Sequence, residues 1–162
     1  MRLIALYLVA IVAANLTTAA FGPSVSVFNA FVFIGLDLTT RDALHDRWHG
    51  RHLWRNMALL IVSGSALSAA LNANALPIAA ASCLAFAGAG IADTLVYSAL
   101  ARYPRLLRMN GSNVVSAAVD SAIFPAVAFG FPLLWMVMVG QFIAKTVGGW
   151  LWSVVLIRRD AA

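Results

Sequence analysis

The sequence predicts an all-α membrane protein, a bundle of six transmembrane helices formed by one domain, residues 1–162. Composition is the first reason, because 62% of the residues are apolar, 10% are charged and the mean hydropathy is +0.88. A soluble domain of this size must face water over its exterior and does not carry so much apolar surface. The second reason is that apolar stretches of roughly bilayer length recur six times. The third is that no glutamate is present, which leaves little solvated helical surface.

The predicted spans are separated by turn-forming or charged segments. They are residues 3–21, 25–40, 56–71, 78–97, 112–131 and 132–157. The first has roughly the twenty residues that a bilayer requires, and Thr17 and Thr18 within it are expected to bond back to carbonyls of their own helix. A Gly-Pro-Ser turn at residues 22–24 then leads into the second span, which is short.

Small residues mark the third and fourth spans. Residues 63–65, Ser-Gly-Ser, and the alanines that follow let neighbouring helices approach closely. We interpret this stretch as a packing surface, with ligand contact by Ser65 or Ser68 as the alternative. An uncharged turn follows, and Gly88 and Gly90 in the fourth span indicate either another close helix crossing or a flexible point.

Prolines and aromatic residues delimit the last two spans. Pro104 stops any helix ahead of the fifth span. Pro125 removes a backbone hydrogen bond within that span, which predicts a kink just beyond Asp120. Trp150 and Trp152 lie close to the end of the sixth span, where aromatic belts collect at the membrane surface.

Nearly all cations lie on one side of this predicted bundle. They are Arg2, Arg41, Arg47, Arg51, Arg55, Arg102, Arg105, Arg108, Arg158 and Arg159. The three loops on the other side carry none, so the positive-inside rule predicts that both termini are cytoplasmic. Topology thus explains the net charge of +5, and we expect no nucleic-acid partner. Three spans in each half, in opposite orientations, suit a 3+3 inverted repeat.

An aspartate lies near mid-depth in the fifth span. Asn113, Ser116 and Asp120 share one helical face, and an ionisable group at that depth costs roughly 2.5–3.5 kcal/mol. By the helical rise, Asp120 lies about 13 Å and Lys145 about 15 Å from the cytoplasmic boundary, so the two can meet. The pair is either scaffolding or part of a binding site; we favour the site, because two buried charges are a poor source of stability. Gln141 lies one turn before Lys145 on the same face.

Three polar residues of the first two spans are further candidates. Asn15 has amide donors and an acceptor that lipid cannot satisfy, so it either bonds another helix or contacts a ligand. Asn29 and Asp37 share a face of the second span. Arg41 is placed one turn from Asp37, where the two can pair.

Other chemistries find little support in the sequence. His45, His49 and His52 have a spacing compatible with a metal, but arginines surround them, so we expect no metal site. Cys83 is the only cysteine, which excludes a disulfide within the chain. Serine with histidine, or paired acids, do not occur together at membrane depth, so we expect no enzymatic activity and no cofactor.

Three short motifs occur in order on the expected spans. They are residues 35–45 (GLDLTTRDALH), then Ser112 and Asn113 with Asp120, Ser121 and Phe124, then Gly140 and Gln141 with Lys145. These motifs resemble the vitamin uptake transporter family, also called queuosine-precursor transporters, and the resemblance extends from about Asn15 to Trp152. It implies a six-helix transporter of the bacterial inner membrane, linked to uptake of 7-cyano-7-deazaguanine and 7-aminomethyl-7-deazaguanine.

The resemblance implies a site that reads a small deazapurine. The edge of a guanine-like base presents N–H donors beside a carbonyl acceptor. Asp120 suits the donors, an amide or the Lys145 ammonium suits the carbonyl, and a phenylalanine ring can stack on the base. The candidate substrate-binding residues are Asp120, Lys145, Gln141, Asn113, Asn15, Asn29, Asp37, Phe33 and Phe124.

Two other functional classes stay open at this point. One is the substrate-binding subunit of an energy-coupling-factor importer, which also has six helices but needs an ATPase partner complex. The other is a non-transporting structural protein of the membrane whose polar core only packs. The lipid bilayer is a partner in every case, whereas the sequence leaves the coupling ion and a homodimer undecided.

Overall fold

Helices make up almost all of the part of the chain that the computed structural model describes, which is residues 2–48, 50 and 52–160, and no strand occurs there. The α-helices are α1 Arg2–Phe21, α2 Pro23–Asn29, α3 Gly35–Trp48, α4 Leu53–Leu71, α5 Leu76–Ala99, α6 Arg105–Phe129 and α7 Trp135–Asp160. A π-helical segment, Ala30–Ile34, joins α2 to α3, and a 3₁₀ turn, Ala73–Ala75, precedes α5. The predicted all-α class is therefore confirmed.

Among the described residues, four helical units are long and apolar enough to cross a membrane. They are Arg2–Phe21, Pro23–Trp48, Ala73–Ala99 and Arg105–Phe129. Helices α4 and α7 are not among these four. The chain is thus a multi-pass helical membrane protein, while six spans and two cytoplasmic termini stay predictions.

The second helical unit departs most from expectation. The predicted Gly-Pro turn is present, since α1 ends at Phe21, Gly22 has φ 68° and Pro23 begins α2. Helix α3 continues to Trp48, beyond the predicted end of the second span at residue 40. Its charged stretch is buried instead of forming a loop: Arg41 is 2% exposed and Asp42 1%. Partners on neighbouring helices keep these side chains inside the bundle, as described below.

Glycines set how closely the helices approach. A Cβ on Gly148 of α7 would collide with the Phe31 carbonyl of the π-helical segment, and one on Gly35 would lie 2.7 Å from the Gly148 carbonyl carbon. A Cβ on Gly88 would lie 2.9 Å from Ile123, which confirms a close crossing of α5 and α6. Gly90 does not contribute to such a crossing, because the nearest atom would be 3.9 Å away.

The last two helices differ from their predicted bounds. Helix α6 begins at Arg105, directly after Pro104, and continues through Pro125, so it starts about two turns before the predicted residue 112. By the helical rise, Asp120 therefore lies about 22 Å from the start of its helix. Helix α7 begins at Trp135, not at residue 132.

One end of the bundle gathers the ends of α3, α5 and α6. Arg105 Nε lies 3.0 Å from Asp46 Oδ2, and the Tyr97 hydroxyl donates to Asp46 Oδ1 at 2.7 Å. The Arg108 guanidinium lies over the Tyr97 ring, 4.0 Å from its centroid. The two internal cation-rich connections thus lie at one end, as the topology requires, although Arg41 is buried and Arg51 lies outside the described residues.

Candidate functional site

A small polar cavity lies between α1, the second helical unit, α5, α6 and α7. Its walls are formed by Ala14, Asn15, Thr18, Ser26, Asn29, Ala30, Ile34, Ser82, Phe86, Asp120, Phe124, Gln141 and Lys145. The cavity volume is about 20 Å³, which is room for about one water molecule. Six of the nine predicted site residues meet here although they come from four separate stretches of sequence.

A carboxylate and an ammonium face each other in this cavity. Lys145 Nζ lies 2.7 Å from Asp120 Oδ2, and the two side chains are only 2% and 4% exposed. Lys145 also donates to Gln141 Oε1 at 2.8 Å. The expected contact between the fifth and sixth spans is therefore confirmed. Asp120 Oδ1 has no hydrogen-bond partner among the described residues, so one strong acceptor is left for a ligand.

Two amides form the opposite wall. The Asn29 side chain donates to the Thr17 and Thr18 hydroxyls at 2.8 and 2.9 Å, while its own Oδ1 has no partner in the described part of the chain. Asn15 donates to Ser68 Oγ at 3.0 Å and accepts from Ser82. Asn15 therefore bonds other helices and also lines the cavity, while its contact with a ligand stays a prediction.

Three predicted site residues do not line the cavity. Asn113 donates instead to Asp42 Oδ2 at 3.0 Å. Phe33 packs against the apolar core. Asp37 is fully buried next to the cavity and interacts electrostatically with both Asp120 and Lys145.

Four polar or aromatic side chains that line the cavity were not predicted from the sequence: Thr18, Ser26, Ser82 and Phe86. Thr18 had been explained as bonding its own helix, but it accepts a hydrogen bond from Asn29. Its position one turn after Asn15 and that of Ser26 one turn before Asn29 were the available signals, since such spacing puts side chains on one face. Phe86 carries no comparable signal, because a phenylalanine in an apolar span reads as lipid-facing or core.

A second buried polar cluster lies deeper between α3, α5 and α6. The expected pairing of Arg41 with Asp37 is not the one formed: Arg41 Nε lies 3.9 Å from Asp93 Oδ2, and Arg41 Nη2 donates to Ser116 at 2.9 Å. Asp93 of α5 is 2% exposed. This second polar cluster consists of Arg41, Asp42, Asp93, Asn113 and Ser116, and we call it the lower cluster.

The histidine-rich stretch shows no metal site in the described residues. His45 is buried and its ring lies edge-on to Tyr97, 4.9 Å between centroids. His49 lies outside the described residues, and His52 is exposed at the start of α4.

Comparison with protein families decides the class of the molecule. Residues 3–157 match the family model described as "Putative vitamin uptake transporter". The chain belongs to the vitamin uptake transporter family. No curated protein and no solved structure matches the chain. The resemblance seen in the short motifs is thereby confirmed and extends slightly further than those motifs.

Membership of the vitamin uptake transporter family gives the buried polar groups a context. In a membrane transporter, ionisable residues at depth face the bundle interior and mark substrate or ion pathways. The cavity of this family member combines an anion, a cation, amides and two phenylalanines within one enclosed space. Such a set can bind a flat polar ring on its edge through hydrogen bonds and on its faces through apolar contact.

Proposed function

We propose that this protein takes up a 7-deazaguanine base, a queuosine precursor, across the bacterial inner membrane through the cavity around Asp120 and Lys145. The observation that carries the proposal is the buried Asp120–Lys145 pair, whose carboxylate keeps one oxygen without a partner among the described residues. A neutral base with paired donors beside an acceptor is complementary to that arrangement.

One edge of the base carries both donors that suit Asp120 and an acceptor that suits Lys145. Its ring N–H and exocyclic amine donate to the Asp120 carboxylate, and its carbonyl accepts from Lys145 or from the Gln141 amide. The Asn29 Oδ1, which lacks a partner among the described residues, is available to the pyrrole N–H. Phe124 and Phe86 line the same cavity and supply apolar contact to the ring.

Binding requires the cavity to widen. Its volume of about 20 Å³ is far below the roughly 300 Å³ at which ligand pockets begin. In the structure Lys145 neutralises Asp120 directly. A base enters when the wall formed by α6 and α7 separates from the wall formed by α1 and α2. The polar edge of the base then replaces part of the electrostatic interaction between Asp120 and Lys145.

Thermal stabilisation of the purified protein tests recognition. We expect 7-cyano-7-deazaguanine and 7-aminomethyl-7-deazaguanine to raise the melting temperature, and 7-deazaadenine to have no effect because it lacks the carbonyl and reverses a donor. Asp120→Ala should abolish both stabilisation and uptake, since the base loses the acceptor for two donors. Asp46→Ala, at the partly exposed ion pair with Arg105, is the matched control and should keep both.

Uptake into vesicles that contain only this protein tests autonomy. Transport without added ATPase is expected of a carrier, whereas a requirement for ATPase subunits would identify an energy-coupling-factor component. Absence of stabilisation by every deazaguanine in the panel, with folded protein, would overturn the substrate assignment.

A further inference from the structure

The buried charges of the described residues do not balance. Four carboxyl groups with at most 3% exposure lie inside the bundle: Asp37, Asp42, Asp93 and Asp120. Two buried cations, Arg41 and Lys145, face them. Burying a carboxylate without compensation costs several kcal/mol, so proteins neutralise it. At least one carboxyl group is therefore left to hold a proton or a bound cation.

Geometry identifies which carboxyl group this is. Lys145 pairs with Asp120 at 2.7 Å, and Arg41 faces Asp93 at 3.9 Å. Asp42 accepts a hydrogen bond from Asn113. Asp37 is 0% exposed, and neither of its oxygens has a hydrogen-bond partner among the described residues. It is the buried acid with the least compensation.

Asp37 also interacts electrostatically with both ion pairs. The charged and titratable groups that act on it are Tyr7 from α1, Arg41 from its own helix, Asp93 from α5, Asp120 from α6 and Lys145 from α7. The two pairs are each neutral in sum, so an ionised Asp37 would add one negative charge to a balanced set. A neutral Asp37 leaves both pairs intact.

We propose that Asp37 is a proton-binding site that couples base uptake to the inward movement of a proton, so that base and proton cross together. A proton from the outer aqueous side joins a carboxylate oxygen of Asp37, and the same O–H bond breaks when the proton leaves to the cytoplasm. This inference rests on the proposed function.

Base binding and proton binding favour each other in this arrangement. The bound base places its carbonyl on Lys145 and fills the cavity next to Asp37, which removes water that could stabilise a second carboxylate. An ionised Asp37 then becomes costlier, and its protonated form is preferred. Uptake under a gradient that is acid outside is the thermodynamic consequence.

Proteoliposome transport separates coupling from recognition. With wild-type protein we expect labelled 7-cyano-7-deazaguanine to accumulate above equilibrium when the outside is more acid. Asp37→Asn should still exchange labelled for unlabelled base, but its accumulation ratio should fall to one. Asp46→Asn is the matched control and should accumulate like the wild type. Accumulation by Asp37→Asn, or wild-type accumulation driven only by a sodium gradient, would overturn the proposal.

Two measurements on purified protein test the proton site without transport. A protonated buried carboxyl group has an infrared carbonyl band, and the band of Asp37 should vanish at neutral pH in Asp37→Asn. Because Asn mimics the neutral acid, this variant should be at least as thermostable as the wild type. An unchanged band, or marked destabilisation, would show that Asp37 is ionised and refute the coupling role. Missing base exchange in the wild type would instead count against the proposed substrate.

Discussion

Removing the charges of the Asp120–Lys145 pair, singly and together, gives the sharpest test of the site. The two groups are 2.7 Å apart and almost fully buried, and breaking such a pair by removing one partner costs about 3–5 kcal/mol. The structure further predicts that the two single variants differ. Lys145→Met leaves the Asp120 carboxylate without its cation, whereas after Asp120→Asn the interacting Asp37 can release its proton and become the anion that compensates Lys145.

Lys145→Met should therefore be the more destabilised of the two, near the upper end of that range, and Asp120→Asn near its lower end or below. At roughly 2–4 °C per kcal/mol for a chain of this size, Lys145→Met should melt roughly 10–20 °C below the wild type. The double variant strands no charge and should lie within about 1 kcal/mol of the wild type. Thermal denaturation in detergent, read together with uptake of labelled 7-cyano-7-deazaguanine, measures both quantities.

The double variant should recover stability without transport, because a pair of neutral side chains no longer reads the donor and acceptor edge of the base. Recovery of transport together with stability would show that the pair is scaffolding, and the reading groups would then be sought among Asn15, Asn29 and Gln141. Equal costs for the two single variants, or a larger cost for Asp120→Asn, would refute the electrostatic role given to Asp37.

Three further predictions follow from the same contacts. Cysteine labelling in a Cys83-free background should reach position 74 from the periplasm but not position 105; labelling of position 105 from outside whole cells would reverse the topology. Gly148→Ala should prevent α7 from packing on the Phe31 carbonyl and abolish folding or uptake, whereas Gly90→Ala, with open space around it, should leave both unchanged. Ser68→Ala removes the partner of the Asn15 amide and should cost about 1–3 kcal/mol of stability, measured as a lower melting temperature.

The features predicted well from the sequence are those that local rules govern. Apolar length, the Gly-Pro turn and the helix stop at Pro104 depend on neighbouring residues alone. The meeting of Asp120 and Lys145 followed from depth, because two helices that cross the same bilayer in opposite directions bring residues of similar depth to one level.

The predictions that failed concerned charged residues whose partners lie far away in the sequence. Residues 41–46 look like a cytoplasmic loop, since nothing local shows that Arg41 meets Asp93 and Ser116, more than fifty residues on. Helical spacing favoured Asp37 as the partner of Arg41, but tertiary contacts decided otherwise. Periodicity alone therefore could not predict the lower cluster or the interaction of Asp37 with both ion pairs.

The π-helical segment Ala30–Ile34 sets the rotation about the helix axis between Asn29 in α2 and the charged residues of α3. Such a segment amounts to one extra residue in an α-helix, and each residue turns the rod by about 100°. Deleting a single residue here would restore regular winding but rotate everything after it, so that Asp37 and Arg41 would no longer point where they do relative to Asn29. The number of residues between Asn29 and the charged residues Asp37 and Arg41 is thus constrained, even at positions where the side chain itself is replaceable.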